Sequence, residues 1–161
     1  MIGNDIVDLA LARKESNWKR KGFLDKIFTQ KEQWLIANAQ NPEVMVWNLW
    51  SRKEAAYKIY NRETGIREYI PMQLVCYYEN ETTGTVFCNE RVYYTETIIT
   101  NVSVYTIATT KLELFSQIKK INLDDKVIKT NGIPFRIDSS IASLNPVSIT
   151  HHGRFWEGIT L

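Results

Sequence analysis

Residues 43–60 form the longest helical pattern in the chain, and almost everything after it reads as strand. That order limits the fold more than any other feature. NPE at residues 41–43 breaks the preceding helix, and NRETG ends this one near Gly65. Beyond it, MQLVCYYE, TVFCNERVYYTETIIT and VSVYTIATT are rich in β-branched and aromatic residues, with a turn at NETTG. Helices followed by strands predict an α+β domain in which one long helix packs on an antiparallel β-sheet. With 161 residues, 44% of them hydrophobic, the chain has material for one core, so residues 1–161 are expected to form a single domain.

The opening MIGNDIVDL alternates as a strand, with Ile2, Asn4, Ile6 and Asp8 on one side and Gly3, Asp5, Val7 and Leu9 on the other. Both sides carry apolar residues, so the strand is expected to be largely buried. Asp5 then needs a cation, because an unpaired buried carboxylate is costly. From Leu9 to about Lys26 the sequence predicts a basic helix: residues 13–26 hold six Lys or Arg against Glu15 and Asp25. Thr29 with Glu32 three residues on forms a capping box that opens the next helix. Residues 111–145 are mixed, with a short helix and a KVIKTNGIPFRI hairpin around Asn131 and Gly132. In the closing NPVSITHHGRFWEGITL, two alternating runs flank THHG and place His151 and His152 at a hairpin bend or a strand end.

The formal charge is only +2, from 20 basic and 18 acidic residues, which is no signature of nucleic-acid binding. No basic leader precedes IGNDIVDL and no segment is apolar enough for a membrane span, so a cytoplasmic location is expected. Cys76 and Cys88 lie in strand-like sequence and read as buried thiols.

WSRKEAAYK, residues 50–58, sets Lys53, Glu54 and Lys58 among residues that ordinarily face a core. Glu54 and Lys58 are i,i+4 neighbours, and Trp47 and Trp50 precede them on nearly the same face. An exposed pair would contribute only about 0.3–0.5 kcal/mol. A strand carboxylate at Asp5 and a helix carboxylate at Glu54 can instead jointly bind a hard divalent ion. Magnesium takes one or two protein carboxylates and completes its shell with water and phosphate oxygens. Lys53 and Lys58 would then offset phosphate charge. Adjacent His151 and His152 point to opposite sides of a strand, which disfavours joint zinc ligation. The chain has no phosphate-cradling glycine loop, zinc cysteine pattern or GxSxG elbow, which leaves metal-assisted phosphate chemistry.

Taken together, GNDIVDL, WSRKEAAYK and SITHHGRF, with FTQKE at residues 28–32, resemble the 4′-phosphopantetheinyl transferase superfamily. Their order is similar to the short holo-acyl-carrier-protein synthase type. The resemblance implies a transferase of fatty acid biosynthesis that moves the phosphopantetheine arm of coenzyme A to a serine of an acyl or peptidyl carrier protein, releasing adenosine 3′,5′-bisphosphate. It implies that Asp5 and Glu54 hold Mg2+, Lys53 and Lys58 contact the pyrophosphate, His151 contacts coenzyme A, and Glu54 is the base for the carrier serine. A two-carboxylate metal site is expected, because Val7 stands where the surfactin-synthetase-activating type has a further acid. Asp8 is expected to do structural work at the following turn. A basic patch of Arg13, Lys14, Lys19, Arg20 and Lys21 would steer an acidic carrier. By resemblance a single unit of this kind forms a homo-oligomer, a trimer in first place, although the segment 111–145 is longer than the short type needs. The alternative is a non-catalytic carrier-binding or nucleotide-binding module on the same scaffold, which would have no physical need for two carboxylates facing one point.

Overall fold

The computed structural model describes residues 1–122, 127–130, 132–138 and 143–161. The chain begins with strand β1, Ile2–Asp8, buried at every position except a partly exposed Asp5. Three short helices follow: α1 (Leu9–Glu15), α2 (Phe23–Ile27) and α3 (Gln30–Asn38). The expected continuous helix to Lys26 is therefore corrected to two short ones. α1 stops at Ser16, whose extended backbone leaves the helical path, and α2 restarts after Gly22 at φ 78°.

The long helix α4 spans Pro42–Thr64, capped by the Asn41 side chain and closed at Gly65. Four strands come next: β2 (Val75–Tyr78), β3 (Thr83–Cys88), β4 (Arg91–Ile99) and β5 (Ser103–Thr109). They join β1 in an antiparallel sheet of order β1-β5-β4-β3-β2. TVFCNERVYYTETIIT, read as one run in the sequence, turns back on itself at Asn89 and Glu90, both at positive φ. These are the two left-handed centres of a tight hairpin, and Asn is among the residues that tolerate them best.

Helix α4 lies across this sheet. Val46, Leu49, Ala55, Ala56 and Ile59 are buried in one cluster with Val7, Val86, Tyr93, Val104 and Ala108. Each buried Leu, Ile or Val there contributes about 1.5–3 kcal/mol. The approach is close enough that a Cβ at Gly3 would run into the Ala55 carbonyl oxygen. Glycine on β1 and alanine on α4 thus bring a strand and a helix together at the level of Asp5 and Glu54.

A 3₁₀ turn, Leu112–Gln117, leads to a second antiparallel sheet of β6 (Lys119–Ile121), β7 (Val127–Thr130), β8 (Ile133–Asp138), β9 (Ser143–His152) and β10 (Phe155–Thr160), in the order β6-β10-β9-β8-β7. The expected hairpin is β7–β8, with Gly132 at φ 75°; Asn131 lies outside the described residues. β9 runs beside the open edge of β1 and joins it through side chains. Ser148 Oγ, Thr150 Oγ1 and His152 Nδ1 accept from the backbone N–H groups of Asn4, Ile6 and Asp8 at 3.0, 3.3 and 2.8 Å. Alternate side chains of one strand thereby satisfy alternate N–H groups of another, as a buried edge requires. Both cysteines are free and buried. No helix among the described residues is long and apolar enough to cross a membrane.

Candidate active site

Asp5 projects from β1 toward α4. Its Oδ1 accepts a hydrogen bond from the Thr150 hydroxyl at 3.1 Å and lies 3.6 Å from Lys58 Nζ. Because Thr150 Oγ1 also accepts from Ile6 N, its proton is directed at Asp5. Lys58 is the cation that Asp5 was expected to need. It also donates to the carbonyls of Asn4 (2.6 Å) and Ile149 (3.3 Å), and so ties α4 to β1 and β9 at one point. Burial raises the Asp5 pKa, and the Lys58 charge and the Thr150 hydrogen bond oppose the rise.

Glu54 sits one turn before Lys58 on α4 and shares a cavity with Asp5. Burial, then the negative charge of Asp5, push its pKa up to about 7 against the partial opposition of Lys58. Among the described residues none donates a hydrogen bond to its carboxylate. This pair is chemically suited to magnesium. It offers two hard oxygen donors in a low-dielectric cleft, and the second negative charge is poorly compensated by protein. No cluster of three or more His, Cys, Asp or Glu occurs among the described residues, so a metal here would draw the rest of its shell from water and substrate.

Two cavities lie beside these groups, with His151 in the lining of both. One, of about 330 Å³, is lined by Asp5, Trp47, Trp50, Glu54, His151 and His152, among others. The other, of about 620 Å³, has Tyr57, Lys58 and Arg62 from α4 on one side and His151 and Trp156 from the second sheet on another. The two histidines are now distinct. His152 is committed as an acceptor to Asp8 N, which in the neutral ring leaves the proton on Nε2. His151 is exposed and lines both cavities.

Lys53 requires a correction. The sequence reading placed it on pyrophosphate, but its ammonium is interior, with the side chain 1% exposed. It donates to Ile27 O (2.9 Å), Pro71 O (2.8 Å) and Glu32 Oε2 (2.9 Å), which uses all three of its protons. One helical turn carries 3.6 residues, so adjacent Lys53 and Glu54 diverge by about 100°, and of the two only Glu54 lines the cavity shared with Asp5. Glu32 is equally committed: Oε2 also accepts from Thr29 N and Oε1 from Cys76 N. The capping box of FTQKE thus doubles as the counterion site of Lys53.

Arg52, passed over in the sequence, is fully buried and donates to the carbonyls of Asn80, Glu81 and Thr83, fixing the β2–β3 turn. Asp8 has the structural role expected of it. It caps α1 through Ala10 N and pairs with Arg154 at 2.8 Å, which holds its carboxyl far below the usual range. Thr150 was missed in the sequence, because its hydrogen bond to Asp5 depends on how β9 lies beside β1.

A long helix on an antiparallel sheet, with two carboxylates and a lysine gathered where the helix crosses the first strand, defines an α+β domain with a candidate active site at that crossing. Residues 1–110 match the 4′-phosphopantetheinyl transferase superfamily, and the chain belongs to that family. The match covers Asp5, Glu54 and Lys58 and ends before the second sheet. No curated protein matches the chain.

Proposed function

We propose that the protein transfers 4′-phosphopantetheine from coenzyme A to a serine of an acyl or peptidyl carrier protein with Mg2+ as cofactor, as a holo-acyl-carrier-protein synthase type of transferase. The observation that carries this reading is the gathering of Asp5, Glu54 and Lys58: Asp5 and Glu54 line one cavity, and Lys58 Nζ lies 3.6 Å from Asp5 Oδ1.

Asp5 and Glu54 would hold the magnesium. Bound there, the ion supplies charge neutralisation for the pyrophosphate and its developing negative charge. The serine Oγ attacks the phosphorus that bears the pantetheine arm. A new P–O bond forms, the pyrophosphate P–O bond breaks, and adenosine 3′,5′-bisphosphate departs with the bonding electrons. The serine proton passes to Glu54, directly or through a water, which requires the carboxylate within hydrogen-bond reach of the serine hydroxyl. Lys58 opposes the burial that raises the Asp5 pKa, and it presents its ammonium, 29% exposed, to the departing phosphate. His151 contacts coenzyme A from β9.

The exposed basic residues of α1 and the following turn, Lys14, Lys19, Arg20 and Lys21, remain the proposed docking patch for an acidic carrier. Arg13 contributes less than expected, because Glu43 engages it in a two-oxygen pair at 2.9 and 3.0 Å. A homo-oligomer, with a trimer in first place, belongs to the same proposal, and sedimentation velocity checks it.

The test of the base is turnover. Glu54→Gln should lower kcat by about 100-fold or more with little change in the coenzyme A Kd. Normal turnover by that variant would remove Glu54 from the reaction.

A further inference from the structure

The cavity of about 620 Å³ is built half from outside the family match. On one side stand Lys58 and Arg62 of α4; on the other stand Val127, Lys129 and Pro134 of the β7–β8 hairpin and Trp156 of β10. The register explains why these side chains share the space. Lys129 pairs with Pro134 and Val127 with Arg136, so Val127 and Lys129 point to the same face, while Ile128 points to the other and is 40% exposed. Trp156 pairs with His151 across β9–β10, and a Cβ at Gly158 would come within 2.6 Å of its ring. The indole is therefore laid along the sheet beside His151. The hairpin is also held onto the family core: Gly132 comes so close to the Arg67 guanidinium that a Cβ there would lie 2.8 Å from Nη2.

This combination fits one kind of ligand. Lys58, Arg62 and Lys129 are cations drawn from two separate parts of the chain, and no carboxylate lines the cavity among the described residues. An aromatic surface lies against the same space. Cations suit phosphates, and an indole suits the face of a base. We propose that Lys129 and Trp156 of the second sheet bind the phosphorylated nucleoside end of coenzyme A, so that the donor cleft is complete within a single chain. This inference rests on the transferase reading above. It adds residues that the family match does not reach, and it places the second wall of the site in cis, whatever the assembly.

The test is calorimetric titration of the full chain with coenzyme A and, separately, with adenosine 3′,5′-bisphosphate, which lacks the pantetheine arm. Lys129→Ala and Trp156→Ala should each raise the Kd for both probes by about tenfold, with Trp156→Phe and Lys129→Arg retaining most of the affinity. Ile128→Ala, on the outward face, should change neither. Circular dichroism confirms that each variant is folded; Lys129 is exposed, so its replacement leaves the core intact. A second arm mixes Lys58→Ala and Lys129→Ala chains. A cis cleft gives no recovery of binding, whereas a cleft shared between chains restores part of the sites. Tight wild-type binding of coenzyme A with an unchanged Lys129→Ala and Trp156→Ala Kd, or recovery on mixing, would overturn the inference and leave the transferase reading standing. Wild-type protein that binds neither probe would overturn both.

Discussion

Replacing Lys53 with Met separates the structural account of WSRKEAAYK from a catalytic one. Lys53 Nζ lies within 2.9 Å of Glu32 Oε2, Ile27 O and Pro71 O, and both partners of the ion pair are buried. Methionine fills nearly the same volume but leaves the Glu32 carboxylate without its cation and two carbonyls without a donor. Breaking one side of a buried pair costs about 3–5 kcal/mol. For a chain of this size that is a fall in Tm of about 10 °C or more. Urea unfolding followed by tryptophan fluorescence measures the loss, and calorimetric titration with coenzyme A at low temperature measures binding by the folded fraction. Lys53→Met should be strongly destabilised with a coenzyme A Kd close to wild type. The double variant Lys53→Met/Glu32→Leu should recover much of the stability, since removing both charges avoids the orphaned carboxylate. A Lys53→Met protein of near-native stability that had lost coenzyme A affinity would refute this reasoning and return Lys53 to the phosphate.

Other residues give further tests. In metal-free buffer, Glu54, with a pKa raised from 4.5 to about 7, contributes stability that is fully present below its unfolded pKa and lost as pH rises through 7, about 3 kcal/mol in all. Glu54→Gln should abolish that slope and be the more stable protein at pH 8 in chelator, as urea unfolding across pH will show. Gly3→Ala should cost about 3 kcal/mol, because the new methyl meets the Ala55 carbonyl where β1 crosses α4; thermal unfolding reads it out. Asp8, whose pKa is depressed mainly by Arg154, contributes stability above the ordinary carboxylate range that is lost as pH falls. Arg154→Ala should therefore flatten the acid limb of the stability profile.

The parts of the site legible in the sequence are those set by local periodicity. Asp5 could be placed on one face of β1 with Gly3, Val7 and Leu9 because strand alternation is strict, and Glu54 and Lys58 on one helix face because i,i+4 neighbours always share one. Lys53 was misplaced because a lysine beside a cleft residue looks the same in sequence whether its ammonium turns outward or toward a buried glutamate 21 positions away. Only the packing of α3 on α4 decides between them. The long basic helix failed for a related reason: charge patterning carried the reading past Ser16 and Gly22, where the backbone breaks. The hairpins of the second sheet were legible, but its docking on β1 was beyond reach, since the β1–β9 contacts bridge more than 140 residues and pass through hydroxyls and an imidazole rather than a backbone ladder.

The most direct test of the central claim is the intact mass of a purified apo-acyl-carrier protein after incubation with this protein, coenzyme A and magnesium, beside an Asp5→Ala/Glu54→Ala control. The account predicts a gain of one phosphopantetheine with the wild type and none with the control. An unmodified carrier after incubation with folded wild-type protein, across several carriers, or equal modification by the control, would contradict it.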